Sequence, residues 1–164
     1  MPFLSDLVYH NYKAHLKQRG FVVMTRQELF KFVNGYRWAV EATVGATCAV
    51  RASVIGFVAT EKLEIFFDAL TSSRKYVNLQ KNPAIALVIG WDDEQTVQYE
   101  GLADWPKGEE LEFFKSLYFQ KFPDGRDRAL LANISYTRVK PTWVRYSDFR
   151  TEPPIIQEFG SSEI

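Results

Sequence analysis

Apolar positions keep helical spacing at first and then change period. Leu29, Phe30 and Val33 recur at intervals of one helix turn, Thr25 and Glu28 stand at capping-box spacing, and Asn34-Gly35 ends the run. This pattern predicts a helix over 26–34, preceded by a mixed stretch that reads as a short helix or arm. From Arg37 to Val44 strand formers dominate, Gly45-Ala46-Thr47 reads as a turn, and Val50 to Ala59 reads as one further strand. Leu63, Ile65 and Phe67 alternate with Glu64, Phe66 and Asp68, which predicts a half-buried strand. Ser72 to Lys81 reads as a short helix stopped by Asn82-Pro83. The continuous apolar run Ile85 to Trp91 predicts a well-buried strand, and Thr96 to Trp105 its partner after Asp92-Asp93-Glu94. Pro106 suits the first position of a helix reaching Lys121, which Pro123-Asp124-Gly125 breaks. Ile134 to Lys140 and Thr142 to Tyr146 read as two last strands on either side of Pro141, and Pro153-Pro154 as extended chain.

Strands joined by hairpin-like links, without regular alternation of strand and helix, argue against a doubly wound parallel sheet. They fit a mainly β fold with accessory helices, a six- to seven-stranded antiparallel split barrel. The expected organisation is an N-terminal helical arm over 1–35, the barrel over 36–148 and an extended tail over 149–164, forming one domain. The length of 164 residues supports that count, and 46% hydrophobic residues suffice for a sizeable core. Lys plus Arg equals Asp plus Glu at 20 each, so net charge offers nothing to a nucleic-acid or membrane surface. Cys48 is the only cysteine, which rules out an intrachain disulfide and a cysteine metal cluster and suits a reducing compartment. The first twenty residues lack the pattern of a signal peptide, and no apolar stretch reaches membrane-spanning length, so a cytoplasmic location is expected.

One segment concentrates chemistry. Ala69-Leu70-Thr71-Ser72-Ser73-Arg74-Lys75 leaves a strand and enters a helix. Ser72 or Ser73 can cap that helix, whose first-turn N–H groups carry a partial positive charge that favours an anion. Arg74 offers a planar fork of donors and Lys75 a mobile point charge. Two cations in the first turn oppose the helix dipole unless an anion is bound. Taken alone, the segment also fits an ordinary capped helix bearing two solvated cations.

The order of its surroundings is more specific. The run FFDALTSSRKYVNLQKNPAIALVIGW, followed by TVQYEGLAD, resembles the flavin-binding split barrels related to pyridoxamine 5'-phosphate oxidase. The likeness extends from the hairpin Ala39 to Phe57 to the Pro-x-Trp-x-Arg unit at Pro141 to Arg145, about residues 36–148. It implies flavin mononucleotide (FMN) as cofactor, a small-molecule substrate and a homodimer with the cofactor at the interface. A deazaflavin is the alternative cofactor. By this resemblance Ser73, Arg74 and Lys75 hold the phosphate, Arg51, Ala52, Ser53 and Val54 line the ribityl chain and ring, and Asp68 and Ala69 lie beside the phosphate. Trp143 and Arg145, two apart on a strand, project from one face and fit the edge of a flavin pocket or, equally, a barrel aromatic beside a surface arginine.

The resemblance stops short of vitamin B6 chemistry. The oxidase acting on that vitamin carries an Arg-x-His pair near its C-terminus, where this chain reads WVRYSDFRTEPP without histidine. His10 and His15 lie in the N-terminal arm without the spacing of a metal site, and no histidine stands near a candidate nucleophilic serine. Phe113, Phe114, Leu117, Tyr118 and Phe122 form an aromatic helix face suited to core or dimer packing. With no side chain marked as catalytic acid or base, the expected function is a cofactor-driven oxidoreductase of unknown substrate. A non-catalytic module that stores or senses flavin is the alternative.

Overall fold

The computed structural model describes residues 24–160, 163 and 164; expectations for residues 1–23, including His10 and His15, lie outside the described residues. Helix α1 (Arg26–Gly35) begins where the capping box places it. Glu28 N–H donates to Thr25 Oγ1 at 3.2 Å, and Thr25 N–H donates to the Glu28 carboxylate at 2.7 Å. The rest is one antiparallel sheet: β1 (Trp38–Val44), β2 (Val50–Gly56), β3 (Val58–Ala59), β4 (Ile65–Leu70), β5 (Ala84–Ile89), β6 (Gln95–Asp104), β7 (Ile134–Asp148) and β8 (Ile155–Gly160). Strand order is β2-β1-β5-β6-β7-β4-β3, with β8 added beside β7. Helices α2 (Arg74–Lys81), α3 (Gly108–Lys121) and α4 (Gly125–Arg128) fill the connections.

The single strand expected over Val50 to Ala59 breaks at Phe57. Its first half pairs with β1 and its second with β4, at opposite ends of the strand order, so this ribbon curls the sheet toward closure. Gly56 stands at the bend and makes room for the Phe122 ring, from which a Cβ would sit 2.9 Å. Conversely, the two last strands expected around Pro141 are one, β7. Its register shifts between Glu100 and Gly101, and Thr142 is the extra residue on β7. Proline lacks an N–H to donate and is tolerated at such a bulge. The tail is also more than extended chain, because Ile155 to Gly160 pairs in register with Trp143 to Asp148. Helix α3 starts at Gly108, two residues after Pro106.

The inward faces of the strands bury Ile55, Ile65, Phe67, Leu87, Val97, Tyr99 and Val139 in one cluster, with Leu29 and Val33 of α1 closing an end. Tyr99 is satisfied there by donating to the carbonyl of Val139 at 3.0 Å. Phe114 and Tyr118 of α3, with Phe122 just after it, cover the other side of β4 and β7. Phe114 stacks on Phe66, which stacks on Tyr136, Tyr118 meets both of these rings edge-on, and Phe122 stacks on Tyr118. The aromatic face is therefore core, apart from Phe113, which is exposed. Burying each such ring contributes roughly 1.5–3 kcal/mol.

Strand β5 departs from expectation. Ile85, Leu87 and Ile89 are buried, while Ala84, Ala86 and Val88 face out uncovered. Its apolar run marks two apolar faces, of which a single chain covers one.

Candidate functional site

The β1–β2 pairing sets Glu41 opposite Ser53 and Thr43 opposite Arg51, so these four side chains share the inward face near one end of the barrel. Helix α2 arrives at that end directly from β4. Ser73 N–H donates to the Leu70 carbonyl at 2.9 Å, which turns the chain. Ser73 is then the N-cap, its Oγ accepting from Tyr76 N–H at 3.4 Å. Of the two serines that could cap, the structure uses Ser73. The first intrahelical bond runs from Val77 N–H to the Ser73 carbonyl, so the amides of Arg74 and Lys75 precede the ladder. Asn78 Nδ2 donates to Thr43 Oγ1 at 3.1 Å and ties the helix to β1.

Between these elements lies a cleft of about 480 Å³ lined by Glu41, Thr43, Val50, Arg51, Ala52, Ser53, Ser73, Arg74 and Lys75. Residues far apart in sequence thus meet: Arg51 to Ser53 from the hairpin and Ser73 to Lys75 from the helix start. The lining carries the cations Arg51, Arg74 and Lys75 and the single carboxylate Glu41. Excess positive charge, capped-helix amides and hydroxyls make up a donor set suited to a phosphate monoester. The residues present therefore fit the phosphate end of a flavin mononucleotide.

Glu41 has no counterpart among the sequence-derived candidates. It is 1% exposed. Ser53 Oγ donates to its Oε1, Lys75 Nζ lies 3.9 Å from the same oxygen, and Oε2 has no partner. Burial pushes its carboxyl above the ordinary range, and the Ser53 bond and Lys75 charge hold part of that shift back. A signal was present in the sequence: a lone carboxylate in the apolar strand WAVEATV, in phase with the inward Ala39 and Thr43.

The remaining predicted residues lie elsewhere. Asp68 accepts from Tyr118 Oη at 3.0 Å and from Arg128 Nε at 2.7 Å, on the α3 side of the sheet. Ala69 is packed in the main core. Val54 points to the outer face of the sheet with 61% exposure, and so do Trp143 and Arg145. Ladder pairing links Val54, Val40, Val88, Gln98 and Arg145 in one row and Ala52, Ala42, Ala86, Glu100 and Trp143 in the next. Four strand spacings separate β2 from β7, roughly 19 Å across the sheet. Within one chain, Trp143 and Arg145 do not reach the cleft. Arg145 Nε lies 3.9 Å from a Glu158 oxygen on β8.

A larger cavity, about 820 Å³, opens between α1, α3 and the β3–β4 turn, and none of the predicted residues lines it. Cys48 is exposed in the β1–β2 turn. Among the described residues no cluster suits a metal ion, and no helix is long and apolar enough to cross a membrane.

Comparison with curated proteins finds no match. Among solved structures, a heme-binding protein from Mycobacterium smegmatis aligns with a TM-score of 0.74 at 14% identity over 87% of this chain, which spans 60% of that protein's length. A heme storage protein from Vibrio cholerae aligns with a TM-score of 0.63 at 18% identity, covering 72% of this chain and 91% of its own. A pyridoxamine 5'-phosphate oxidase-related, FMN-binding protein from Nostoc punctiforme aligns with a TM-score of 0.63 at 12% identity, covering 78% of this chain and 83% of its own. These likenesses show a shared fold. The family model for pyridoxamine 5'-phosphate oxidase matches residues 25–148, from the cap of α1 to the end of β7. A match over that span, on an antiparallel barrel of this strand order, means that the chain belongs to the pyridoxamine 5'-phosphate oxidase-like split-barrel family.

Proposed function

We propose that the protein binds FMN and acts as an FMN-dependent oxidoreductase on a small molecule. The observation carrying this reading is the cleft in which Arg51, Arg74, Lys75 and the Ser73-capped helix start converge. Arg74 and Lys75 would pair with the phosphate, assisted by their own backbone amides. Arg51 and Ser53 would meet the ribityl chain from β2. When bound, the ring supplies hydride or electron transfer, and the protein's part is to orient it and shape access to it.

We further propose a homodimer with the cofactor between subunits. Ala52 and Val54 lie on the same sheet face as Trp143 and Arg145 but roughly 19 Å from them, so one ring meets both sets only where two copies face each other. The uncovered apolar side chains Val50, Val54, Val88 and Leu102 on that face support the same arrangement. Vitamin B6 oxidation is no part of the reading, because the described residues contain no histidine to hold that substrate's phosphate.

Titration with FMN, followed by absorbance, tests the reading. Flavin bands bleached by dithionite and restored by air are expected. Arg74→Ala with Lys75→Ala removes two charge-assisted contacts, and affinity should fall at least about 100-fold with the fold retained. Unchanged affinity would sink the phosphate assignment. Turnover of a reduced nicotinamide with an acceptor separates an enzyme from a flavin store or sensor. Preference for a deazaflavin over FMN would change the cofactor, and a Soret band on hemin addition without flavin uptake would replace it.

A further inference from the structure

We propose that anion binding in the cleft is proton-coupled, with Glu41 as the group that takes up the proton. The inference rests on reading the cleft as a phosphate site and adds a specific control on its affinity. Glu41 stands behind Lys75 at the cleft wall, its side chain 2% exposed. The charged groups facing it are Arg51 from β2 and Arg74 and Lys75 from α2, while its neighbour on β5 is Leu87. Of these, Lys75 alone comes within ion-pair distance, at 3.9 Å. Ser53 Oγ donates to Oε1, and Oε2 is buried without a partner. An ionised Glu41 therefore offsets one of the lining cations and competes with any ligand for Lys75.

A phosphate in the cleft changes that balance. Lys75 turns its charge to the ligand, and Glu41 is left buried beside a second anion. Both changes favour the protonated carboxyl. Linkage is reciprocal: if the ligand raises the proton affinity of Glu41, protonation of Glu41 raises the affinity for the ligand. Binding then tightens as pH falls through the titration of Glu41 and weakens as pH rises through it. Burial already holds this group above the ordinary carboxylate range, so the window opens on the neutral side of that range.

The test uses FMN as probe, with affinity measured from pH ~5 to ~8, which spans an elevated carboxyl and neutrality, for the wild-type protein and Glu41→Gln. The phosphate of FMN titrates in the same range but does so for both proteins, so the affinity ratio isolates Glu41. Near the acid end the ratio of Glu41→Gln to wild type should be about one; it should rise to roughly tenfold as wild-type Glu41 ionises. Calorimetry in buffers of differing ionisation enthalpy should show proton uptake with wild type that Glu41→Gln reduces. If Glu41→Gln does not fold, Ser53→Ala serves. Loss of the Ser53 bond, which favours the charged form, should move the wild-type pH dependence toward higher pH. A flat ratio with equal proton uptake, or an unmoved profile in Ser53→Ala, overturns the coupling while FMN binding stands. Failure of the wild-type protein to bind FMN overturns the phosphate reading and the coupling together.

Discussion

Asp68 belongs to the strand that feeds the cleft, yet its carboxylate is engaged on the opposite side of the sheet. Tyr118, nearly fully buried, donates to it, and Arg128 pairs with it at 2.7 Å. The Asp68 charge and burial together push the Tyr118 hydroxyl far above its ordinary range, burial being the larger cause. Asp68→Ala should therefore cost about 1–3 kcal/mol, because it removes the acceptor of a buried hydroxyl and the carboxylate partner of Arg128, and should leave FMN affinity near wild type. Urea denaturation alongside flavin titration checks both halves; a large loss of affinity with stability intact would return Asp68 to the cofactor site. The Ser73-Arg74-Lys75 segment was legible because capping and helix-start charge act within a few residues. Glu41 was not, since its importance comes from Ser53 and Lys75, which reach it across a strand pair and from a helix.

At the scale of elements, two features hold the barrel in shape. Gly101 marks the register shift of β6 against β7, where a Cβ would fall 2.4 Å from the Lys140 carbonyl and 2.6 Å from Val139. Backbone cannot yield as a side-chain tip can, so Gly101→Ala should destabilise by about 1–3 kcal/mol, read as a lower urea midpoint. The second feature is Lys121 at the end of α3, which donates to the carbonyls of Asn34 and Tyr36 and so ties α3 to the end of α1. Burial, assisted by the nearby Arg37 charge, lowers its ammonium to about 8 from an ordinary 10.5. Between those values the unfolded chain binds more protons than the folded one, so stability rises with pH. The penalty for burying the charge is full below about 8 and is relieved as pH climbs toward 10.5. Stability measured from pH ~8 to ~10 should rise in the wild type, and Lys121→Met should flatten that rise.

For the whole molecule, the outer sheet face is decisive. It runs from β2 through β1, β5 and β6 to β7 with Val54, Val88 and Leu102 uncovered. Ala86 lies near its middle and is exposed in the single chain, so a charge there should not disturb the chain's own core. Ala86→Asp should convert the proposed dimer to monomers in sedimentation and weaken FMN binding in parallel. A dimer that persists with full affinity would place the interface on another face.

The sequence by itself determined what depends on neighbours along the chain. The capping box of α1, the Ser73 cap, the Asn82-Pro83 stop and the antiparallel class follow from spacing and turn chemistry that act over a few residues. Tertiary structure decided what depends on partners distant in sequence. Val50 to Ala59 is a continuous run of strand formers, but its halves satisfy their hydrogen bonds on β1 and β4, which requires the break after Gly56. Pro141 reads as a stop, but the register shift opposite Gly101 carries β7 through it. The apolar run of β5 reads as buried on both faces because composition cannot say which face the same chain covers. The basic segment with which the cleft begins was visible as a string of residues, but the carboxylate behind it was placed only when β1, β2 and α2 came together, since charge acts through space and not along the chain.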